Sequence, residues 1–248
     1  MAARSAGHSA ASLLVLLASC ASGIGDPPAT DDEATDLDPV SWSGGKADAM
    51  SSTFQQNEVM SVHVLTASSA VTADAIQAFL ASSPYGTRSW LADYTASNGE
   101  SFAQLVMDSA NAHGIDPVAL LARAQVESSL VSATSQPSAT RVNAALGCGC
   151  PDNGGCLASD DGLATQLDCA GLVLATQMAN SAAGDGTWNR GRARATQDQV
   201  LVTPADDSTA ALYAYTPWVL VGQGGNWLVW NVTRRFFQAF DNAGALNL

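Results

Sequence analysis

Basic residues are scarce in this chain. Ten lysines and arginines stand against 23 aspartates and glutamates, leaving a formal charge of −13 over 248 residues. A surface that binds nucleic acid needs Lys and Arg in excess to meet the phosphates, so that class of partner is excluded. The one basic knot, Arg190, Arg192 and Arg194, is expected in a solvated loop. Histidine is scarcer still: of three, His8 falls in the N-terminal leader, and His63 and His113 are remote in sequence from the cysteines. That argues against a cysteine peptidase, which needs a base beside its thiol. An uninterrupted apolar run of about 20 residues, the length that spans a bilayer, is missing as well. Nothing in the sequence implies a cofactor or a metal.

What is present at the N-terminus reads as an address. Arg4 is the only early charge, and Ala11 to Ser19 run through Leu13, Leu14, Val15, Leu16 and Leu17 to small residues before Cys20. A positive start, a short apolar stretch and a small-residue cleavage point make a secretory signal over residues 1–19. Leu17-Ala18-Ser19-Cys20 resembles the bacterial lipobox, whose cysteine is acylated and becomes the first mature residue. The resemblance implies a lipoprotein exported to the cell envelope and anchored to a membrane through Cys20. Residues 20–58, with Asp26-Pro27-Pro28, Asp31, Asp32, Glu33, Asp36 and Asp38, carry too little apolar surface to offset the entropy of ordering. They are expected to form a disordered, acidic tether, followed by one domain over 59–248.

Removing Cys20 from the five cysteines leaves Cys148, Cys150, Cys156 and Cys169, an even and clustered set. In an exported chain such a set reads as two disulfides, with three possible connectivities. Zinc is the competing reading, but Cys148-Gly149-Cys150 is C-x-C where structural zinc sites favour C-x2-4-C pairs.

The domain reads as mainly α. Thr72 caps a helix to Leu80 with Ile76, Phe79 and Leu80 on one face, and Val62, Val64 and Leu65 suggest a short extended piece before it. Ser101 to His113 has Phe102, Leu105, Val106 and Ala110 at helical spacing and Gly114 at its end. Asp116 and Pro117 open a helix to about Val131. Residues 133–161 read as loop and Gly162 to Asn180 as helix. Asp206 or Ser208 caps another helix through Ala210 to Tyr215, halted by Pro217, and Trp227 to Phe240 form the last. Trp218, Trp227 and Trp230 are candidates to line a sugar groove, against the commoner role of filling a core.

Glu127 is the first candidate for chemistry. It is the only glutamate beyond residue 100, and at 100° per residue it falls in line with Leu120, Ala124 and Leu130 or Val131. Burial in such a stripe would raise a glutamate above its usual value of about 4.3, which suits a general acid. The alternative is a surface glutamate paired with Arg123 four residues earlier, worth a few tenths of a kcal/mol.

Gly114-Ile115-Asp116-Pro117-Val118-Ala119-Leu120-Leu121 through Glu127-Ser128 resembles the "I-x-P-x-L-L…E-S" helix of the soluble lytic transglycosylases, which ends in the catalytic glutamate. Gly162-Leu163-Ala164-Thr165-Gln166 is similar to that family's "G-L-M-Q" element, one residue longer. A related group of exported bacterial lysozyme-like proteins shares five elements in this order: Ile76 to Leu80, Asp116 to Leu130, Ala145 to Asp152, Gly162 to Gln166, and Ser208 to Pro217. The resemblance covers about residues 70–240. It implies a lysozyme-like helical domain with a disulfide-bearing loop, and an enzyme that cleaves the glycan strands of peptidoglycan. Glu127 is then the catalytic residue and Ser128, Gln166, Tyr213 and Tyr215 its substrate-binding helpers. The departure is that Gly162 stands 35 positions after Glu127, longer than the family's gap, with a cysteine-bearing insertion that forms a wall or lid of the cleft.

Asp152, Asp160, Asp161, Asp206 and Asp207 are the candidates for a second acid, though each sits in a polar, turn-like context. With a second carboxylate water attacks the sugar; without one the sugar's own 6-hydroxyl attacks and leaves an anhydro product, as the resemblance implies. The alternative function is a glycan-binding or adhesion module that keeps the shape and does not cut. Either way the expected partners are peptidoglycan strands and, through the lipid, a membrane, with the chain a monomer. Cys20→Ala should move the protein from the membrane to the soluble fraction on cell fractionation; unchanged membrane association would remove the lipid anchor from the account.

Overall fold

The computed structural model describes residues 50–66, 71–150 and 157–244. The signal segment, Cys20, most of the tether, Asp152 and Cys156 lie outside the described residues. Among those described, eight helices and one two-stranded hairpin occur, so the chain is mainly helical: α1 Val62–Thr66, α2 Ala73–Ala81, α3 Phe102–His113, α4 Pro117–Ser128, α5 Ala139–Asn143, α6 Leu163–Ala183, α7 Asp207–Tyr215 and α8 Gly225–Asn242. Short 3-10 turns sit at Trp90–Asp93 and Ala158–Asp160, and the strands β1 Arg194–Ala195 and β2 Leu201–Val202 pair antiparallel. No helix among the described residues is long and apolar enough to cross a membrane.

The helices begin where side chains can meet free backbone N–H groups. The hydroxyls of Thr72 and Ser101 accept from Ala75 N and Gln104 N, and Asp206 accepts from Thr209 N. Gly114 ends α3 in the left-handed region at φ 66°, where a side chain would be strained. Val62 to Leu65 form a helical turn rather than the extended piece expected. Ser61 explains it: its carbonyl accepts from both Val64 N and Leu65 N, and its hydroxyl from Val64 N.

Helix α4 runs through the middle of the molecule, with every residue from Pro117 to Gln125 buried. It lies against α8 on one side and against α3 and α6 on others. Its start is fixed by Asp116, fully buried, whose carboxylate accepts from Val118 N at 2.8 Å while its own N–H donates to Leu65 O at 2.7 Å. Its end comes three residues earlier than the apolar pattern implied. Ser129 turns left-handed (φ 48°) and its N–H reaches back to Ala124 O and Gln125 O, so Leu130 and Val131 enter the core from a loop. The Gln125 side chain locks that turn, accepting from Ser132 N at 3.0 Å and donating to Ser132 Oγ at 3.2 Å.

Aromatic packing joins the two ends of the domain. Phe79 of α2 lies edge-on to Phe236 and stacked on Phe240 of α8, with ring centroids 5.0 and 4.7 Å apart, and Tyr85 meets Phe236 from the far side. The ordered part begins before residue 59: Met50 is buried, Phe54 packs edge-on to Trp230, and the carbonyls of Ser51 and Ser52 accept from Trp230 Nε1 and Arg234 Nη1. Residues 50–58 therefore belong to the domain, and not to the tether as their composition suggested.

Cys148 and Cys169 form a disulfide that ties the loop after α5 to α6. Cys150 is also disulfide-bonded. The basic knot turns onto its own surroundings: Arg190 pairs with Asp207, while Arg192 and Arg194 donate to the carbonyls of Gly184 and Thr187. Phe236→Ala should cost about 3–5 kcal/mol, because it empties a fully enclosed site between α2 and α8. Denaturant titration reads this as a lower midpoint at unchanged slope, and a loss below about 1 kcal/mol would mean that the aromatic cluster does not hold the two ends together.

Candidate functional site

The last turn of α4 is where the buried helix meets solvent, and Glu127 sits on it. Its side chain is 18 % exposed, and Oε1 lies 3.1 Å from Nη2 of Arg123. The expected surface pair is not on the surface, because the Arg123 side chain is 1 % exposed. Its Nη2 also donates to Thr216 Oγ1 at 2.8 Å, and the guanidinium lies 3.9 Å over the centre of the Tyr215 ring. Nε and Nη1 of Arg123 have no hydrogen-bond partner among the described residues. Among the described residues, the carboxylate of Glu127 is the anionic partner of this buried guanidinium. The sequence implied a purely apolar environment for Glu127; the structure places a guanidinium beside it.

The other side of Glu127 is the loop from Ala144 to Gly149. Gly147 is left-handed at φ 69°, and a side-chain carbon placed there would sit 3.7 Å from Glu127 Oε2. Three helices fix this loop. Ser128 Oγ donates to Ala145 O at 2.6 Å from α4, and Tyr215 Oη donates to Leu146 O at 2.6 Å from α7. Gln166 of α6 accepts at Oε1 from Leu146 N and Cys148 N, and donates from Nε2 to Cys148 O and Asp160 O, over 2.6–3.1 Å. The Cys148–Cys169 bond adds a covalent tie.

The structure thus brings Glu127, Ser128, Gln166 and Tyr215 together around one loop. It also corrects the helper roles expected for them. Gln166 is fully buried and all four of its hydrogen-bonding positions serve the backbone, so it has no group to offer a sugar. Tyr215 is buried, with its hydroxyl committed to Leu146 and its face to Arg123. Ser128 is half-buried and its hydroxyl is shared between Ala124 O and Ala145 O. Tyr213 lies elsewhere: it stacks on Trp188 at 5.0 Å and donates to Gln56 O at 2.9 Å. Burial first, and the charge of Asp198 second, push its phenol well above the ordinary tyrosine range, so it remains a donor. All four act as supports, and Tyr213 supports the N-terminal segment rather than the Glu127 loop.

The carboxylates considered as a second acid have structural partners where they are described. Asp206 caps α7, and Asp207 accepts from Ser181 and Arg190. Asp161 accepts from Asn143, while Asp160 lies against Gly149. Among the described residues no group of His, Cys, Asp and Glu is arranged to hold a metal ion.

A groove of about 560 Å³ opens just past the end of α4, lined by Tyr85, Thr87, Ser129, Ser132 to Pro137 and Arg141. Arg141 secures its floor by donating from Nε and Nη2 to the carbonyls of Ser128 and Ser129. Glu127 is not among the lining residues; the groove begins two residues beyond it. Sequence reasoning missed Arg123 as a buried group, the clamp at Gln166 and this groove. The signal that pointed to the groove was the Ser/Thr-rich composition of 129–140.

The chain matches no protein-family model, no curated protein and no solved structure. Gln166→Leu should destabilise the protein by several kcal/mol, since it strands two N–H groups and two carbonyls at about 1–3 kcal/mol each. Amide hydrogen exchange at Leu146 and Cys148 should accelerate in the same variant; full protection there would show that the loop does not depend on the clamp.

Proposed function

We propose that this protein is an envelope lipoprotein that cleaves the glycan strands of peptidoglycan, with Glu127 as its acid and base. The observation that carries the reading is the placement of Glu127: a partly exposed carboxylate on the last turn of a buried helix, held between a buried guanidinium and the backbone of Gly147. Fixed orientation of this kind is what proton transfer to a scissile oxygen requires. The neighbouring groove supports it, because its lining is rich in hydroxyls and Arg141 adds a positive charge that suits the carboxylates of peptidoglycan. The resemblance of the Ile115 to Ser128 segment to the lytic transglycosylases points to the same residue.

In this mechanism a bound glycan excludes water from Glu127 and makes its charge more costly, which favours the protonated form despite Arg123. Glu127 gives its proton to the bridging oxygen as the C1–O bond breaks. The sugar's 6-hydroxyl oxygen then bonds to C1 and returns its proton to Glu127. Atoms balance without water, and the product carries an anhydro ring. The commitments of Asp160, Asp161, Asp206 and Asp207 to other partners favour this single-carboxylate course over water attack. Arg123 is a positioning residue: it orients Glu127 and lowers the cost of the carboxylate that forms when the proton leaves.

The Arg123–Glu127 pair also favours a second reading, in which the carboxylate only compensates a buried cation and the protein binds glycan without cutting it. One experiment separates the two. The wild-type chain should release soluble muropeptides from purified sacculi, and Glu127→Gln should lower the rate by at least about 100-fold while its folding and sacculus binding persist. Release that survives the substitution would remove Glu127 from the mechanism; binding without release by the wild type would establish the second reading.

A further inference from the structure

A second cavity lies away from Glu127. It is an open recess of about 640 Å³ between residues 52–57 and the start of α8, a size typical of small-molecule sites. It shares no residue with the Glu127 loop or with the groove beside α4. Its apolar lining is aromatic: Phe54, Trp227 and Trp230, with the exposed Val221 at the rim. Trp227 is half-buried, while Trp230 is spent on the core, with its Nε1 donating to Ser51 O. Its polar lining consists of neutral groups, chiefly Gln55, Gln56 and Asn57 together with Asn231.

Asn231 is the unusual member. It is 7 % exposed, it stands one helical turn from Trp227, and it lines the same cavity. An amide at this position offers both donors and an acceptor to a ligand in the cavity. No carboxylate, lysine or arginine lines the space, so neither a metal ion nor an anion would find a charge there.

Aromatic rings beside side-chain amides, in a recess lined by uncharged residues, suit one ligand chemistry. A sugar ring presents C–H bonds on one face for stacking and hydroxyl or acetamido groups at its edge for paired hydrogen bonds. We propose that this cavity is a second glycan-binding site that takes a neutral, N-acetylated saccharide, stacked on Trp227 and hydrogen-bonded by Asn231. The proposal stands apart from the role given to Glu127: a chain that cuts nothing would still bind sugar here. On a polymer the site would hold a strand at a second point and raise its effective concentration at the groove.

The test is titration of the full chain with N-acetylglucosamine trimer, read by calorimetry and by tryptophan fluorescence. Wild type and Glu127→Gln should both bind with a fluorescence change, and Trp227→Ala and Asn231→Ala should each raise Kd about tenfold or more. Asn231→Asp keeps the shape of the side chain, and far-UV circular dichroism and thermal melting of each variant separate lost binding from lost folding. No saturable binding by the wild type, or binding that Trp227→Ala and Asn231→Asp leave unchanged in folded protein, would overturn the proposal. Binding lost only in Glu127→Gln would place the sugar at the other site and overturn it equally. So would a dimer that Trp227→Ala dissociates, since a second copy would then occupy the cavity.

Discussion

A cation in the centre of the molecule constrains everything around it. Arg123 sits on the most enclosed helix with its side chain 1 % exposed, and a guanidinium in that position is unfavourable unless its charge is met. Glu127 meets it from the same helix, and Thr216 and Tyr215 meet it from the end of α7. Each of those partners is then no longer free to move. Tyr215 carries the constraint onward through its hydroxyl to Leu146, and so into the loop that faces Glu127. Such a pair is weak evidence of stability, because desolvation offsets most of the attraction, but it fixes geometry firmly. A carboxylate with one orientation is what the proposed chemistry needs.

The loop from Ala144 to Gly149 shows how that rigidity is built. It is irregular chain with buried residues at Ala145, Leu146 and Cys148, so its backbone groups must be paired within the protein. Gln166 imitates a short piece of backbone, with two acceptances and two donations, and makes the loop part of the core. The disulfide to Cys169, three residues further along α6, reinforces the same junction. Glu127 thus faces a wall that cannot give way, while the groove beyond α4 and the aromatic cavity near α8 remain open.

Helix positions were legible because their signals are local. Thr72, Ser101 and the Asp116-Pro117 pair mark starts, Gly114 marks a stop, and the Ile76, Phe79 and Leu80 face is buried as its spacing implies. The end of α4 was less legible, since Leu130 and Val131 continue the apolar pattern after Ser129 has broken the helix. Burial of Arg123 could not be read: periodicity assigns a charge to the outside, and only the arrival of Tyr215 and Thr216 some 90 residues later makes the inside tolerable. The roles of Gln166 and Tyr215 were hidden for the same reason, as their partners belong to a loop without periodicity. The sequence marked Glu127 as a residue worth following, and it is distant contacts that define its surroundings.

The central claim is that Glu127 moves a proton during glycan cleavage and that no water enters the product. Mass spectrometry of the material released from purified sacculi by the full chain tests it most directly. The account requires soluble fragments that end in an anhydro sugar; sacculi left whole, with no such fragment in solution, would contradict it.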